Sequence, residues 1–294
     1  MQIQNAAIIK QIVSSLLAAV ASMLLKIVSQ LDFNQTLYLR AVIGLIILSS
    51  AAIYFKLQVY NFDKQTMNNL INRGAIAGFG AFMYFKGLSL VLVSESILLN
   101  RMSPIWTSII CITVQKKEQF NSRLLINMTL SGIGIFLIAK NKTNNNESQI
   151  TVDTYSHWVG ITLILLASIT QAIVNILVKS VNQEVDSIVI TLYQGFFATN
   201  LPVFNSLFEE TQFNLPSVNE SILITTASII SLLAGVLQVQ SMREGKLSIV
   251  SNVSQIQLFF GYLIDFFVFS VKFNQQQIIG NIILLSSIIP LIWK

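Results

Sequence analysis

Long apolar segments alternate with short polar ones along the whole chain. Ten apolar segments can be drawn between the polar interruptions: 6–28, 36–55, 70–91, 94–115, 121–140, 157–179, 185–208, 218–241, 248–270 and 274–293. A helix needs about 20 residues to cross the hydrocarbon core of a bilayer. Since each segment is close to that length, the pattern predicts ten transmembrane spans.

The apolar segments predict helices rather than strands of a barrel. They lack strict apolar–polar alternation and are about twice as long as a membrane strand of about 10 residues. Of the 294 residues, 53% are hydrophobic and 11% are charged, against about 25% charged in a soluble domain. We therefore expect an all-α polytopic membrane protein. Ala19-Val20-Ala21 resembles a signal-peptidase site, but the apolar run continues past it, so we expect the first span to be retained.

The chain divides into two halves of five spans, 1–140 and 157–294, joined by a polar linker at 141–156. Weak self-similarity supports a duplication, because residues 23–30 resemble 176–183 and residues 88–91 resemble 247–250. With an odd number of spans in each half, the second half enters the membrane in the opposite orientation. Such inverted repeats are a common plan of secondary transporters.

The basic residues predict that both termini are cytoplasmic. With that orientation eleven basic residues fall on the inner side, Arg73 among them, and five on the outer side, Arg40 among them. The linker then lies outside. It carries two glycosylation sequons, Asn141-Lys142-Thr143 and Asn146-Glu147-Ser148, which agree with this topology.

Several classes of chemistry find no support in the sequence. The net charge of +5 is spread without a cluster of four basic residues, so we expect no nucleic-acid partner. Cys111 is the single cysteine and His157 the single histidine, which excludes an intramolecular disulfide and argues against a histidine-based metal site. No phosphate-binding loop or nucleophile elbow is found. We therefore expect no cofactor and no enzyme activity.

One region resembles a known family. Arg73-Gly74 is followed by Tyr84-Phe85-Lys86-Gly87-Leu88, Ser103-Pro104-Ile105-Trp106-Thr107, Lys117-Glu118 and Gly132-Ile133-Gly134. This order resembles the EamA-type repeat of the drug/metabolite transporter superfamily, and most of all the solute carrier family 35 subfamily G branch. The resemblance implies two EamA-like repeats and transport of a small solute. The second half lacks counterparts of Pro104 and Glu118.

Three ionisable residues are predicted to lie within the bilayer, Lys86, Arg101 and Asp265. Their positions along the spans place all three in the outer half of the membrane, where charged residues usually face a cavity or a partner. One interpretation is a net positive, outward-facing cavity for an anionic or zwitterionic solute. The other is structural pairing with Asp265 or snorkelling of the side chains to the headgroups. Glu95 is a candidate coupling carboxylate or, alternatively, a helix cap.

Neutral polar residues recur within the spans: Asn100, Gln171, Asn175, Gln194, Gln238, Asn252, Gln255 and Gln257. They suit hydrogen bonds to a polar substrate, and equally hydrogen bonds between helices. Gly74-x-x-x-Gly78 predicts close internal packing of the third span, with homodimerisation as the alternative. Pro104 predicts a kink in the fourth span.

Together these features predict a secondary transporter or exchanger of a small polar metabolite, with anions as one candidate class, that works by alternating access. Its expected partners are the substrate and the lipid bilayer. One alternative is a membrane-embedded enzyme acting on lipid-linked groups, which would need Asp265 and Lys86 as acid and base. The other is a non-transporting scaffold.

Overall fold

The computed structural model describes residues 2–28, 33–88, 90–91, 99–113, 122–140, 154–206, 215–270 and 273–292. Within these residues the regular structure is entirely helical. The α-helices are α1 Gln2–Ile27, α2 Phe33–Tyr54, α3 Lys64–Leu88, α4 Ser103–Thr113, α5 Ser122–Lys140, α6 Thr154–Leu177, α7 Ser187–Ser206, α8 Val218–Glu244, α9 Leu247–Val253, α10 Ile256–Phe267 and α11 Gln275–Ile292. A single 3-10 turn, Val178–Ser180, follows α6.

Four helical stretches in the described part of the chain are long and apolar enough to span a bilayer: Ile3–Ile27, Tyr155–Ser180, Val218–Glu244 and Leu247–Phe267. Shorter apolar helices cover Tyr38–Tyr54, Ser103–Thr113, Leu124–Leu137 and Gln275–Ile289. The prediction of an all-helical chain is thus confirmed for the described residues. The count of ten spans stays a prediction.

The described residues combine a largely apolar exterior with many polar side chains inside, next to a hydrophobic core that includes Leu70, Ile190 and Leu247. Large apolar residues lie on the outside, with Ile53 78% and Phe267 75% exposed. Polar residues lie inside, and Ser228, Asn252 and Gln255 are all 0% exposed. This arrangement is stable where the surrounding solvent is hydrocarbon, because apolar surface then costs nothing and each polar group needs a partner within the protein.

Local signals in the sequence define the helix ends. Ser217 precedes α8 and accepts a hydrogen bond from the N–H of Glu220, whose carboxylate accepts one from the N–H of Ser217. This reciprocal arrangement is a capping box. Asp63 precedes α3 and accepts a hydrogen bond from the N–H of Thr66. At the other end of α8, Gly245 donates its N–H to the carbonyl of Ser241.

The fourth and ninth predicted spans are interrupted rather than continuous. A turn at Arg101 and Met102 precedes α4, and a turn at Ser254 and Gln255 separates α9 from α10. Pro104 is the second residue of α4, where the missing N–H of a proline breaks no hydrogen bond. The expected kink inside one helix is therefore a break, with a new helix beginning at Ser103.

The most extensive helix contacts join the two halves of the chain. Several of these contacts come in pairs that the exchange of the two halves relates. The contact α1–α8 corresponds to α3–α6, α2–α8 to α3–α7, and α1–α10 to α4–α6. The contacts α5–α11, α2–α7 and α4–α9 each correspond to themselves. The α3–α6 pair runs antiparallel, since Asn69 donates to the carbonyl of Ser180 while Gly87 meets Gly160. The α1–α8 pair does the same, with Gln11 near Ser241 and Ser14 near Ala234.

Two close approaches show the same correspondence at the level of single residues. A Cβ added to Gly87 would lie 2.9 Å from the carbonyl oxygen of Gly160, and one added to Gly245 would lie 2.9 Å from the Cβ of Ala7. Gly87 lies near the end of α3 and Gly245 directly follows α8, while Ala7 and Gly160 lie near the starts of α1 and α6. The helices of the two halves therefore cross at equivalent points.

Candidate functional site

A cavity of about 450 Å³ lies between the two halves of the chain. Its walls come from α1, α2 and α3 of the first half and from α6, α7, α8 and α10 of the second. A volume of this size is within the range of about 300–1,000 Å³ typical of small-molecule sites.

Small residues create the space. Gly44, Gly195 and Gly235 line the cavity, together with alanines on α1, α2, α3, α7 and α8. Among the described residues, the nearest neighbouring atom to a Cβ added to Gly195 would be 3.9 Å away, and the nearest to one added to Gly235 would be 3.6 Å away. These glycines are therefore not points of close helix contact, and their missing side chains leave the cavity open.

Two arginines line the cavity. Arg73 on α3 is only 4% exposed; it donates through Nη1 to the carbonyl oxygen of Ile190 at 3.3 Å and through Nη2 to Oε1 of Gln194 at 3.1 Å. Arg40 on α2 is half-buried and donates through Nε to Oγ of Ser231 at 3.3 Å. Both of these arginines belong to the first half and are thus hydrogen-bonded to neutral residues of the second half.

The two arginine contacts occupy equivalent places in the two halves. Arg40 lies 7 residues after the first residue of α2, and Gln194 lies 7 residues after the first residue of α7. Arg73 precedes Gly87 by 14 residues, and Ser231 precedes Gly245 by 14 residues. The contact of Arg40 on α2 with Ser231 on α8 therefore corresponds to the contact of Gln194 on α7 with Arg73 on α3. In the first contact the arginine lies on α2, and in the second it lies on α3, the helix that is equivalent to α8.

Neutral amides complete the polar lining. Gln171, Asn175, Gln238 and Gln257 line the cavity, and Gln171 donates to Oδ1 of Asn175 at 3.1 Å. Gln257 accepts a hydrogen bond from Nη1 of Arg101 at 3.2 Å. Amides can both donate and accept, so this lining can bind hydroxyl and carbonyl groups as well as anionic oxygens.

The charge of the cavity is positive. Among the residues described as lining it, the arginines Arg40 and Arg73 carry charge and none is an aspartate, glutamate or lysine. The ion pairs of the described residues lie elsewhere, between Lys10 and Glu244 and between Lys26 and Asp265. The same residues contain no group of three or more His, Cys, Asp or Glu side chains able to hold a metal ion.

The model of the EamA-like transporter family matches this sequence twice, over residues 5–140 and 158–293. The chain belongs to the EamA-like transporter family. The match supports an integral membrane transporter of small solutes, since EamA proteins form a transporter family rather than an enzyme family. The sequence-based resemblance to the drug/metabolite transporter superfamily is confirmed at this level, and the assignment to the subfamily G branch stays a prediction.

The fold of this EamA protein is also found among solved structures. One, titled "Crystal structure of protein", superposes with a TM-score of 0.78 at 11% sequence identity and covers 98% of this chain and 96% of its own. At that identity the likeness shows the fold alone. No curated protein matches the sequence.

The three predicted intramembrane charges take different positions in this EamA structure. Arg101 is half-buried and contacts the cavity lining through Gln257. Lys86 has an exposed side chain and is not among the residues described as lining the cavity. Asp265 also lies away from the lining and accepts a hydrogen bond from Nζ of Lys26 at 2.7 Å. The alternative of a structural ion pair therefore holds for Asp265, with Lys26 as the partner rather than Lys86 or Arg101.

The predicted neutral residues separate into two groups. Gln171, Asn175, Gln194, Gln238 and Gln257 line the cavity. The remaining three, Asn100, Asn252 and Gln255, lie outside the described lining.

Contacts between helices account for one of those three residues. Asn252 donates to Oγ of Ser108 at 2.8 Å and so joins α9 to α4. Gln255 is fully buried in the break between α9 and α10. Glu95, the candidate coupling carboxylate, lies outside the described residues.

Sequence reasoning missed the two arginines because it assigned them to the membrane surfaces. A usable signal exists in the sequence. Arg40 is followed at i+4 by Gly44, and Arg73 at i+4 and i+8 by Ala77 and Ala81. Residues four apart share a helix face, so each arginine is aligned with small side chains that leave space beside it.

Proposed function

We propose that this protein is a secondary transporter or exchanger that moves a small polar metabolite across a membrane by alternating access. In this proposal the two five-span halves rock around the cavity, which binds the substrate. The observation that carries it is the position of the cavity: polar groups from both halves converge on one space inside a helical membrane protein. Secondary transporters with inverted repeats bind their substrates at such an interface.

The proposal includes the full topology of the chain: ten spans in two inverted repeats, with both termini in the cytoplasm and the linker outside. The antiparallel pairing of α3 with α6 and of α1 with α8 supports inverted halves. Cys111 is the single cysteine and is buried, so cysteines introduced singly into a Cys111→Ala protein would report the side of each loop. Labelling of Ser148→Cys from the outside and of Gln65→Cys from the inside is expected. The reverse pattern would overturn the orientation.

Uptake by purified protein in liposomes tests the transport itself. The panel contains nucleotides, nucleotide sugars, amino acids and organic anions. Saturable uptake of one class by the wild type is expected, with acceleration when the liposomes are preloaded with the same solute. If folded and inserted protein takes up nothing, neither from this panel nor by exchange, the transporter proposal is wrong.

A matched pair of variants tests whether the cavity is the route. Gly235→Phe places a ring in the cavity, where an added Cβ would lie 3.6 Å from Cγ2 of Thr191. Gly132→Phe places the same ring on α5, where an added Cβ meets nothing within 4 Å. Uptake should be lost in Gly235→Phe and kept in Gly132→Phe. Full uptake by correctly folded Gly235→Phe would exclude the cavity as the route.

A further inference from the structure

We infer that the cavity binds a small dianion, a metabolite whose carboxylate or phosphate groups carry two negative charges in total, through the guanidinium groups of Arg40 and Arg73. The inference rests on the proposed transport function and names the class of substrate. Both arginines line one cavity, and both are contacted there by neutral residues.

The first argument is the missing counter-charge. A buried charge is costly unless an opposite charge and hydrogen bonds compensate it. The ion pairs of the described residues, Lys10 with Glu244 and Lys26 with Asp265, are partly exposed and lie outside the cavity. The described residues that line the cavity include no carboxylate. A bound dianion would supply two negative charges at the place where the protein provides two positive ones.

The second argument is the geometry of the donors. A guanidinium carries five N–H groups and suits carboxylate and phosphate oxygens because it can donate two parallel hydrogen bonds. Arg73 uses Nη1 and Nη2 for Ile190 and Gln194, and its buried Nε has no partner among the described residues. Other buried polar atoms of the described residues also lack partners, both amide atoms of Gln255 among them, but Arg73 is the residue of this group that lines the cavity. There its Nε can donate to a ligand acceptor.

The third argument separates dianions from zwitterions. An amino acid would place its ammonium group beside the two arginines, and the described lining offers that group no carboxylate. Gln171, Gln238 and Gln257 also line the cavity and can instead bind hydroxyl or carbonyl groups of the ligand. The arrangement therefore favours a polar dianion over an amino acid or a monoanion.

The partners of the arginines fit a site that must release its ligand. Ser231 and Gln194 belong to the second half of the chain and are neutral, so an anionic group can replace them without separating an ion pair. When the substrate leaves, the same contacts again occupy the guanidinium groups. Binding thereby changes the two equivalent contacts between the halves at the same time.

The experiment compares succinate with butyrate, which has the same four-carbon chain and one carboxylate fewer, and adds inorganic phosphate and glutamine. Binding to purified protein is measured as a shift in thermal unfolding, because a ligand that binds only the folded state raises its stability. Uptake into liposomes is measured on the same preparations. We expect succinate or phosphate to stabilise the wild type and to be taken up, and butyrate and glutamine to do neither at the same concentration.

The variants are Arg40→Gln, Arg73→Gln and the corresponding lysine substitutions, with Lys64→Gln as the matched control. Lys64 is an exposed cation on the same helix as Arg73 and is outside the cavity lining. Each glutamine variant should weaken dianion binding by roughly 10- to 100-fold, the value of a charge-assisted hydrogen bond. The lysine variants should recover part of the loss, because they keep the charge without the planar donor pair. Lys64→Gln should bind as the wild type does.

The outcomes distinguish this inference from the transport proposal. Uptake of another solute that is unchanged in folded Arg40→Gln and Arg73→Gln would overturn the dianion site and leave the transporter intact. Equal stabilisation by succinate and butyrate would also overturn it. If Arg73→Gln does not fold, Arg73→Lys and the half-buried Arg40→Gln give the same test. Absence of uptake for every solute, together with dianion binding lost in the variants, would support the site and remove the transport function.

Discussion

The contact between α5 and α11 and the cavity between α2, α7 and α8 use glycine in opposite ways. In the first, a Cβ added to Gly134 would lie 2.8 Å from the carbonyl oxygen of Gly280 and 3.1 Å from the N of Leu284. In the second, a Cβ added to Gly195 or Gly235 would find only ordinary van der Waals neighbours. Glycine brings two backbones together in one region and leaves a space in the other.

The hydrogen-bond partners of the polar side chains also differ between the two regions. Asn127 donates to the carbonyl oxygen of Ser287 at 2.6 Å, and the hydroxyl of Ser131 bonds that of Ser287 at 2.9 Å, all three being 0% exposed. These contacts hold the α5–α11 pair in one arrangement. Around the cavity the two arginines have neutral partners, and none of the described residues of the lining is a carboxylate that could fix them in place. The difference indicates a fixed pair of helices in one region and a binding site in the other.

The largest expected effect comes from Gly134→Ala. The added methyl group meets backbone atoms of α11 that cannot rotate away, so we expect a loss of about 1–3 kcal/mol in the free energy of unfolding. Gly132→Ala on the same helix meets nothing within 4 Å and should be neutral or slightly stabilising, by up to about 1 kcal/mol. Denaturant unfolding of both proteins in detergent gives the comparison. Equal stability of the two variants would show that α5 and α11 are not closely packed.

The substitution Gly235→Ala in the cavity is expected to raise the free energy of unfolding, where Gly134→Ala lowers it. Alanine favours the helix over glycine by about 0.5–1 kcal/mol, and its methyl group fits 3.6 Å from Cγ2 of Thr191. The variant should therefore unfold at a higher temperature while taking up substrate with a higher KM, because the cavity is smaller. A destabilised protein would mean that α7 and α8 are in closer contact than the structure shows.

A smaller effect is expected for the ion pair between Lys26 and Asp265. The two side chains are 54% and 32% exposed, and partly exposed pairs contribute only about 0–1 kcal/mol. Lys26→Gln should shift the unfolding temperature by no more than a few degrees, and uptake should persist in Asp265→Asn. Loss of function in folded Asp265→Asn would reopen the possibility of chemistry at this carboxylate.

The smallest effect is expected at Asp63, outside the membrane-spanning segments. Hydrogen bonds from the side chain and the backbone N–H of Thr66 hold the pKa of the Asp63 carboxyl below its usual value. The ionised form therefore favours the folded state above the unfolded pKa of about 3.9, and this contribution disappears as the pH falls through the lower folded pKa. The advantage of the wild type over Asp63→Asn in thermal unfolding should be present at pH 7 and decline as the pH falls below the unfolded pKa of about 3.9. An advantage independent of pH would show that the charge plays no part.

The helical class of the chain could be predicted from hydropathy because a backbone in hydrocarbon must satisfy its own hydrogen bonds. Helix ends were predicted less well where polar residues lie within a helix. The third span was expected to begin at residue 70, but α3 begins at Lys64, directly after its cap Asp63. Arg73 was therefore counted with the residues of the inner surface, although it lies more than two turns inside the helix.

The neutral residues of the candidate site could be predicted from the sequence better than its charged residues. Hydropathy gives the depth of a residue in the membrane but not the face of the helix on which it lies. Lys86 and Asp265 were chosen by depth, and the structure places both outside the described cavity lining. The spacing of Gln171 and Asn175 carried information on the face as well, because residues four apart lie on one side of a helix.

The interlocking of the two halves has a consequence for how the protein is made. The main packing partners of α1 and α3 are α8 and α6, which the ribosome produces only after the first half has left it. The first half must therefore enter the membrane before its partners exist, with Arg40 and Arg73 still lacking Ser231 and Gln194. The contacts that join the two halves can therefore form only after both halves have been synthesised, so the packing of α1 and α3 is completed late.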